Sequence, residues 1–261
     1  MKLMAISLCV FFSLSAFALE DWKSQIIADA KNLYTEESLR EFNKPIEFIT
    51  QEDISAAASA RHDFDKLAVV INTGLLNSTR LTPDSFRMII CHELGHLFGG
   101  APRKNVPPEW DGPVGSDGMS LMSSEGQADY YASSACFKRM LTLEKQSLKI
   151  DLKRVGPVLK NKCQAIAKKN GKDLEACLRS ALGGLDFLNL VRDFPISCEH
   201  EDKTIAPQLI RDSYPDRQCR LDTIINGTLC SEVLPLSLHP FDDSKNTCAS
   251  FYALRPKCWF P

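Results

Sequence analysis

The chain has 261 residues, of which 44% are hydrophobic and 25% charged, with a formal net charge of -2. These values are those of globular proteins and exclude a disordered or fibrous chain. A balance so close to neutral gives no general pull toward nucleic acid or anionic lipid, so neither is expected as a partner.

The N-terminus reads as a secretory signal: Met1-Lys2, an apolar run from Leu3 to Phe17, then Ala16-Phe17-Ala18 as an A-x-A cleavage site. The run is shorter than the roughly 20 residues that a spanning helix needs. A signal over residues 1–18, cleavage after Ala18 and no lasting membrane insertion are therefore expected, for an exported protein, periplasmic or secreted. The ten cysteines agree with export, because disulfides persist in oxidising compartments. Without Cys9 an odd number remains, none in a C-x-x-C pair, so disulfides are favoured and at least one thiol is left over. Cys91 is the candidate for a buried free thiol.

Asp21 to Asn32 carries Trp22, Ile26, Ile27, Ala30 and Leu33 at helical spacing. Pro45 opens a short strand, Ile46 to Thr50, and a small-residue stretch through Ala56 to Ala60 leads to a second, Leu67 to Ile71. Thr82-Pro83-Asp84 supplies an N-cap, a proline at the first helical position and an early acid, and Gly99-Gly100 with Pro102 marks that helix's end. Residues 101–124, rich in Pro, Gly and Ser, read as a long loop. Ser124 and Gln127 suggest a capping box that opens a helix from Glu125 to Met140. Two further helices are predicted at about 151–169 and 172–192. Beyond Asp193 the tail reads as loop, braced by disulfides in place of a core.

The chemistry concentrates at His92-Glu93-Leu94-Gly95-His96. Two histidines four apart sit on one helical face and can bind one zinc ion, with Glu93 placed as general base toward a water at that ion. Phe86, Ile90, Leu94 and Leu97 form a separate apolar stripe on the other side. A catalytic zinc commonly has three protein ligands, and Glu125 is the candidate third. Asp129, one turn later, is placed to accept the free ring N–H of a ligand histidine. A Glu and an Asp at this spacing also describe an ordinary solvated helix face, but their position directly after the loop favours the ligand.

Thr73-Gly74-Leu75-Leu76, His92 to His96 and Glu125-x-x-Ala128-Asp129 together resemble the gluzincin zinc metalloproteases, the family of the CAAX prenyl endopeptidase and bacterial periplasmic chaperone-proteases. The likeness covers roughly residues 45–135 and resumes near 213. It implies that Ser213-Tyr214-Pro215 with Arg220 stands where the family carries Thr-His-Pro and an arginine, Tyr214 replacing the histidine that steadies the oxyanion. His239-Pro240 with Lys245 is a rival match, and Tyr214 with Arg220 is preferred because arginine has the better charge geometry. His62 and His200 are expected to be ordinary surface or cap histidines.

The expected fold is α+β: one zincin-like catalytic domain over 19–261, a small sheet packed on the active-site helix, a helical insertion at about 137–192 and a Cys-rich tail at about 193–261. Leu67 to Ile71 is expected at the edge of the sheet, where an extended polypeptide substrate could pair with it. The expected function is that of a zinc-dependent endopeptidase acting on exported or envelope proteins, with one Zn2+ per chain. The metal ligands are His92, His96 and Glu125, the catalytic residues Glu93, Tyr214 and Arg220, and the supporting residue Asp129. The alternative is a zinc-binding chaperone or binding protein of the same fold, with weak or no hydrolysis.

Overall fold

A computed structural model describes residues 14–110, 112–144, 150–167, 171–232 and 234–261, with side chains described from Trp22 onward except at 171–172. The predicted signal over 1–18 therefore lies outside the described side chains.

Helix α1 (Leu14–Phe42) is longer than the amphipathic segment read from the sequence. Ile26, Ala30, Tyr34 and Ser38 are all buried at a spacing of four, so a single face continues to the end of the helix. It stops at Asn43, whose φ of 53° turns the chain toward Pro45.

Three strands follow: β1 (Ile46–Gln51), β2 (Ala58–His62) and β3 (Leu67–Asn72). Their order is β1-β3-β2, with β1 parallel and β2 antiparallel to β3. This corrects the sequence reading twice. The β-branched run of β3 is the sheet's centre, buried on both faces from Leu67 to Ile71, and not its edge. The strand that flanks β3 on the cleft side is β2, Ala-Ser-Ala-Arg-His, in which the small Ala58 and Ala60 face the core in alternation with exposed Ser59 and Arg61 and add little apolar area. His62 closes β2 inside the core, 2% exposed and edge-on to Phe42, and is not a surface residue.

A single helical turn, α2 (Thr73–Leu76), leads to α3 (Pro83–Phe98). Thr82 and Ser85 cap its start reciprocally, and Pro83 occupies the first helical position. Every residue from Ser85 to Phe98 is buried, so the histidine face is enclosed as fully as the apolar stripe. Strands β2 and β3 pack on α3 together with the helices α1, α4 and α7.

The loop of residues 101–124 crosses the surface, with bridges between Arg103 and Ser123 and between Val114 and Ser120. It delivers the chain to α4 (Glu125–Tyr131), which runs through a wider turn, Ala132–Cys136, into α5 (Phe137–Leu143). The expected capping box does not form. Ser124 makes no side-chain cap, and Gln127 instead donates to the Gly99 carbonyl and accepts from Arg255.

Helix α6 (Pro157–Ile166) and α7 (Gly171–Leu188) occupy the region predicted helical, Pro157 fixing the start of α6. Beyond them the tail contains a further helix, α8 (Arg217–Thr228). Leu221, Ile224, Ile225, Leu229, Leu234 and Leu238 join the main core, so burial and not disulfides alone holds the tail.

Four disulfides form: Cys91–Cys136, Cys163–Cys177, Cys219–Cys258 and Cys230–Cys248. Cys91 is therefore bonded, tying α3 to the wide turn after α4, and among the described residues Cys198 is the free thiol, and it is buried. The fold is mixed α+β with a small three-stranded sheet. No helix among the described residues is long and apolar enough to cross a membrane.

Candidate metal centre and its cleft

His92 and His96 lie one turn apart on α3, their ring centroids 4.8 Å from each other. Glu125, the first residue of α4, reaches both: its Oε2 is 3.3 Å from His92 Nε2 and 3.6 Å from His96 Nε2. Close helix packing permits this reach. At Gly95 a Cβ would stand 2.7 Å from the Ala128 carbonyl oxygen and 2.8 Å from its Cα, so only glycine lets α4 lie this near α3. Spacing thus places the two imidazoles, and tertiary packing brings in the carboxylate.

The outer ring nitrogens are held separately. His96 Nδ1 is 2.8 Å from the Ser123 carbonyl and His92 Nδ1 is 2.8 Å from Asp129 Oδ1. When the rings are neutral, a proton kept on each Nδ1 would leave each Nε2 lone pair facing Glu125. Asp129 is wholly buried and is gripped in turn by Arg220, Nε to Oδ2 at 2.7 Å and Nη2 to Oδ1 at 2.9 Å. Lys104, from the surface loop, donates to Glu125 Oε1 at 2.8 Å. That leaves Oε2 buried and without a hydrogen bond.

The charges follow this geometry. Burial opposes charge on His92, but Asp129 and then Glu125 outweigh it and raise its pKa to about 9. Burial would raise Glu125, but His92 and His96 hold its carboxyl far below the ordinary range. Asp129 is likewise lowered against its burial, by Arg220 first and His92 next.

A buried carboxylate oxygen facing the Nε2 atoms of two imidazoles is a donor set that suits a cation, whose binding would displace the second proton from His92. His92, His96 and Glu125 form a group that could hold a metal ion, with ligand atoms within 4.8 Å of one another. A second group, Asp202 with Cys219 and Cys258, has both sulfurs committed to a disulfide.

Beside the cluster opens a cleft of about 400 Å³, lined by His92 and Glu93 from α3, Ala56 to Ala58 leading into β2, Phe187, Leu188 and Leu190 around the end of α7, and Tyr214, Arg217 and Arg220. Tyr214 stacks 4.8 Å from the Arg220 guanidinium. Tyr214 is 64% exposed, and partial desolvation, then the Glu125 carboxylate, push its phenol up to about 12. The cleft lining includes Glu93, Tyr214 and Arg220, and Arg220 is bound to Asp129. His239 is elsewhere: its Nδ1 accepts from the amides of Phe241 and Asp242 in a turn, and Lys245 pairs with Asp242. His200 is exposed.

Sequence reasoning missed Lys104 and the Ser123 carbonyl. A lysine in a polar loop carries no motif, and a backbone carbonyl has no residue signature. Comparison of this chain with protein-family models, curated proteins and solved structures finds no match.

Proposed function

We propose that the protein is an exported zinc-dependent endopeptidase of zincin-like fold, in keeping with its resemblance to the gluzincins. The observation that carries this reading is the convergence of His92 Nε2, His96 Nε2 and the unbonded Glu125 Oε2, with Glu93 lining the adjoining cleft. Two imidazoles and one carboxylate are the ligand chemistry of catalytic zinc. A zinc ion bound there supplies a Lewis acid that makes water more acidic and polarises a carbonyl.

The chain's own groups account for the remaining steps. Glu93 takes the proton of the attacking water and returns it to the leaving amine. The Tyr214 O–H donates to the substrate oxygen as negative charge develops there. Asp129, held by Arg220, keeps His92 in one tautomer and one orientation. Among the described residues β2 pairs only with β3, and residues 56–58 border the cleft, so an extended polypeptide can add beside β2 by backbone hydrogen bonding. Four disulfides support an oxidising compartment, periplasmic or extracellular.

A zinc-binding chaperone or binding protein of weak hydrolytic power is the second reading, favoured by Tyr214 where the resemblance implies histidine. Metal analysis with hydrolysis of a casein-type substrate by the parent and Glu93→Gln separates the two. About one zinc per chain in both proteins, with hydrolysis by the parent alone, is expected. Zinc without turnover in the parent would favour the second reading, and equal turnover by both would remove Glu93 as the base.

A further inference from the structure

We infer that the cleft selects polypeptides presenting a carboxylate, and that Arg217 is the side chain that reads it. This rests on the peptidase reading and names its class of substrate.

Arg217 and Arg220 both line the cleft, where Glu93 is the one carboxylate of the lining. The two arginines differ in what neutralises them. Arg220 is buried and matched by the two oxygens of Asp129. Arg217, in the first turn of α8, donates through Nη1 to the Leu188 carbonyl at 2.9 Å and stacks on the Phe194 ring, 3.5 Å from its centroid. Arg192 lies 4.7 Å from the same ring. Among the described residues neither Arg217 nor Arg192 forms an ion pair, and the neighbouring Asp193 is committed to Arg80.

Two guanidinium groups thus line the cleft, a third, Arg192, shares the Phe194 ring with Arg217, and of the three only Arg220 has a carboxylate partner, Asp129. Desolvation first, then the fields of Arg220 and Arg192, pull the pKa of Arg217 below that of an ordinary arginine. The aromatic stack and the Leu188 carbonyl hold its guanidinium in place. Its remaining N–H edge is free for a carboxylate, which arginine binds in a planar, bidentate manner. Phe187, Leu188 and Leu190 line the same cleft, so the fitting ligand carries an apolar residue near its acid.

The carboxylate could belong to an Asp or Glu side chain or to a chain terminus, and three peptides of one apolar sequence distinguish these. The first carries an internal Glu and an amidated end, the second Gln and a free carboxyl end, the third Gln and an amidated end. Binding is measured by fluorescence anisotropy to zinc-loaded Glu93→Gln protein, so that no turnover is needed. One of the first two should bind about fivefold tighter than the third, and which one does identifies the source. Arg217→Gln should abolish the preference, and Arg217→Glu should favour a Lys-containing peptide. Equal affinities, no binding by any of the three, or a preference that survives Arg217→Gln overturns the inference. Hydrolysis by the parent without such a preference would sink this inference alone, and a preference without hydrolysis would sink the peptidase reading alone.

Discussion

Arg220 holds Asp129 by both carboxylate oxygens, and the same Asp129 lies 2.8 Å from His92 Nδ1. A residue of the C-terminal tail thereby orients a ring on α3 through one intervening carboxylate. Substituting Asn at Asp129 keeps the shape but removes the charge, and should weaken zinc affinity by about 10- to 100-fold in a chelator competition. Arg220→Met leaves that carboxylate buried without its cation and should cost about 3–5 kcal/mol in urea unfolding. Unchanged zinc affinity in the Asn variant would show that Asp129 does not support the ligand.

Lys104 occupies one oxygen of Glu125 and leaves the other facing the histidines. The bond therefore biases Glu125 toward binding a metal through a single oxygen. Lys104→Met should lower zinc affinity by about tenfold or less, because its side chain is partly open to solvent. Zinc absorption spectroscopy should show an added oxygen neighbour in the variant. An identical coordination shell in the two proteins would mean that Lys104 has no part in setting it.

The histidine pair was legible because one helix encodes it, and the capped start of α3 lies in adjacent residues, Thr82 and Ser85. What lay beyond reach depends on packing between distant segments. Helix α8 buries Arg220, Asp222 and Thr223, polar residues that hide its core-facing side until Asp129 and Gln218 appear as partners. Strand β2 has only a faint apolar pattern, because its inward residues Ala58 and Ala60 are small, and its pairing with β3 supplies the order that its composition signals weakly. Cysteine spacing leaves many connectivities, and the one adopted joins Cys91 to Cys136 across the contact between α3 and the turn after α4.

Gly95 sets the separation of α3 from α4, since an added Cβ would meet the Ala128 backbone at 2.7 Å. Backbone cannot yield as a flexible side chain does, so Gly95→Ala must push the two helices apart. The expected cost is about 1–3 kcal/mol in thermal or urea unfolding. Because Glu125 opens α4 and the histidines sit on α3, zinc affinity should fall in the same variant. A destabilised protein with parental zinc affinity would show that the ligand set tolerates the shift.

His62 links the core to acid stability. Its ring packs edge-on to Phe42, its Nδ1 is buried without a partner, and burial followed by the nearby Lys44 lowers its pKa from 6.5 to about 4. The unfolded chain thus takes up a proton below pH 6.5 that the folded chain refuses until about pH 4. The sign follows: stability is full above 6.5 and is lost as the pH falls toward 4, by about 3 kcal/mol at most. Asp222 acts in the opposite sense, since burial raises its carboxyl to about 6 and favours the folded state as the pH falls through that value. Comparing the parent with His62→Phe cancels the Asp222 contribution. The difference in unfolding free energy between them should shift toward the variant as the pH is lowered from 6.5 to 4, and a difference constant across that range would exclude His62 as the titrating group.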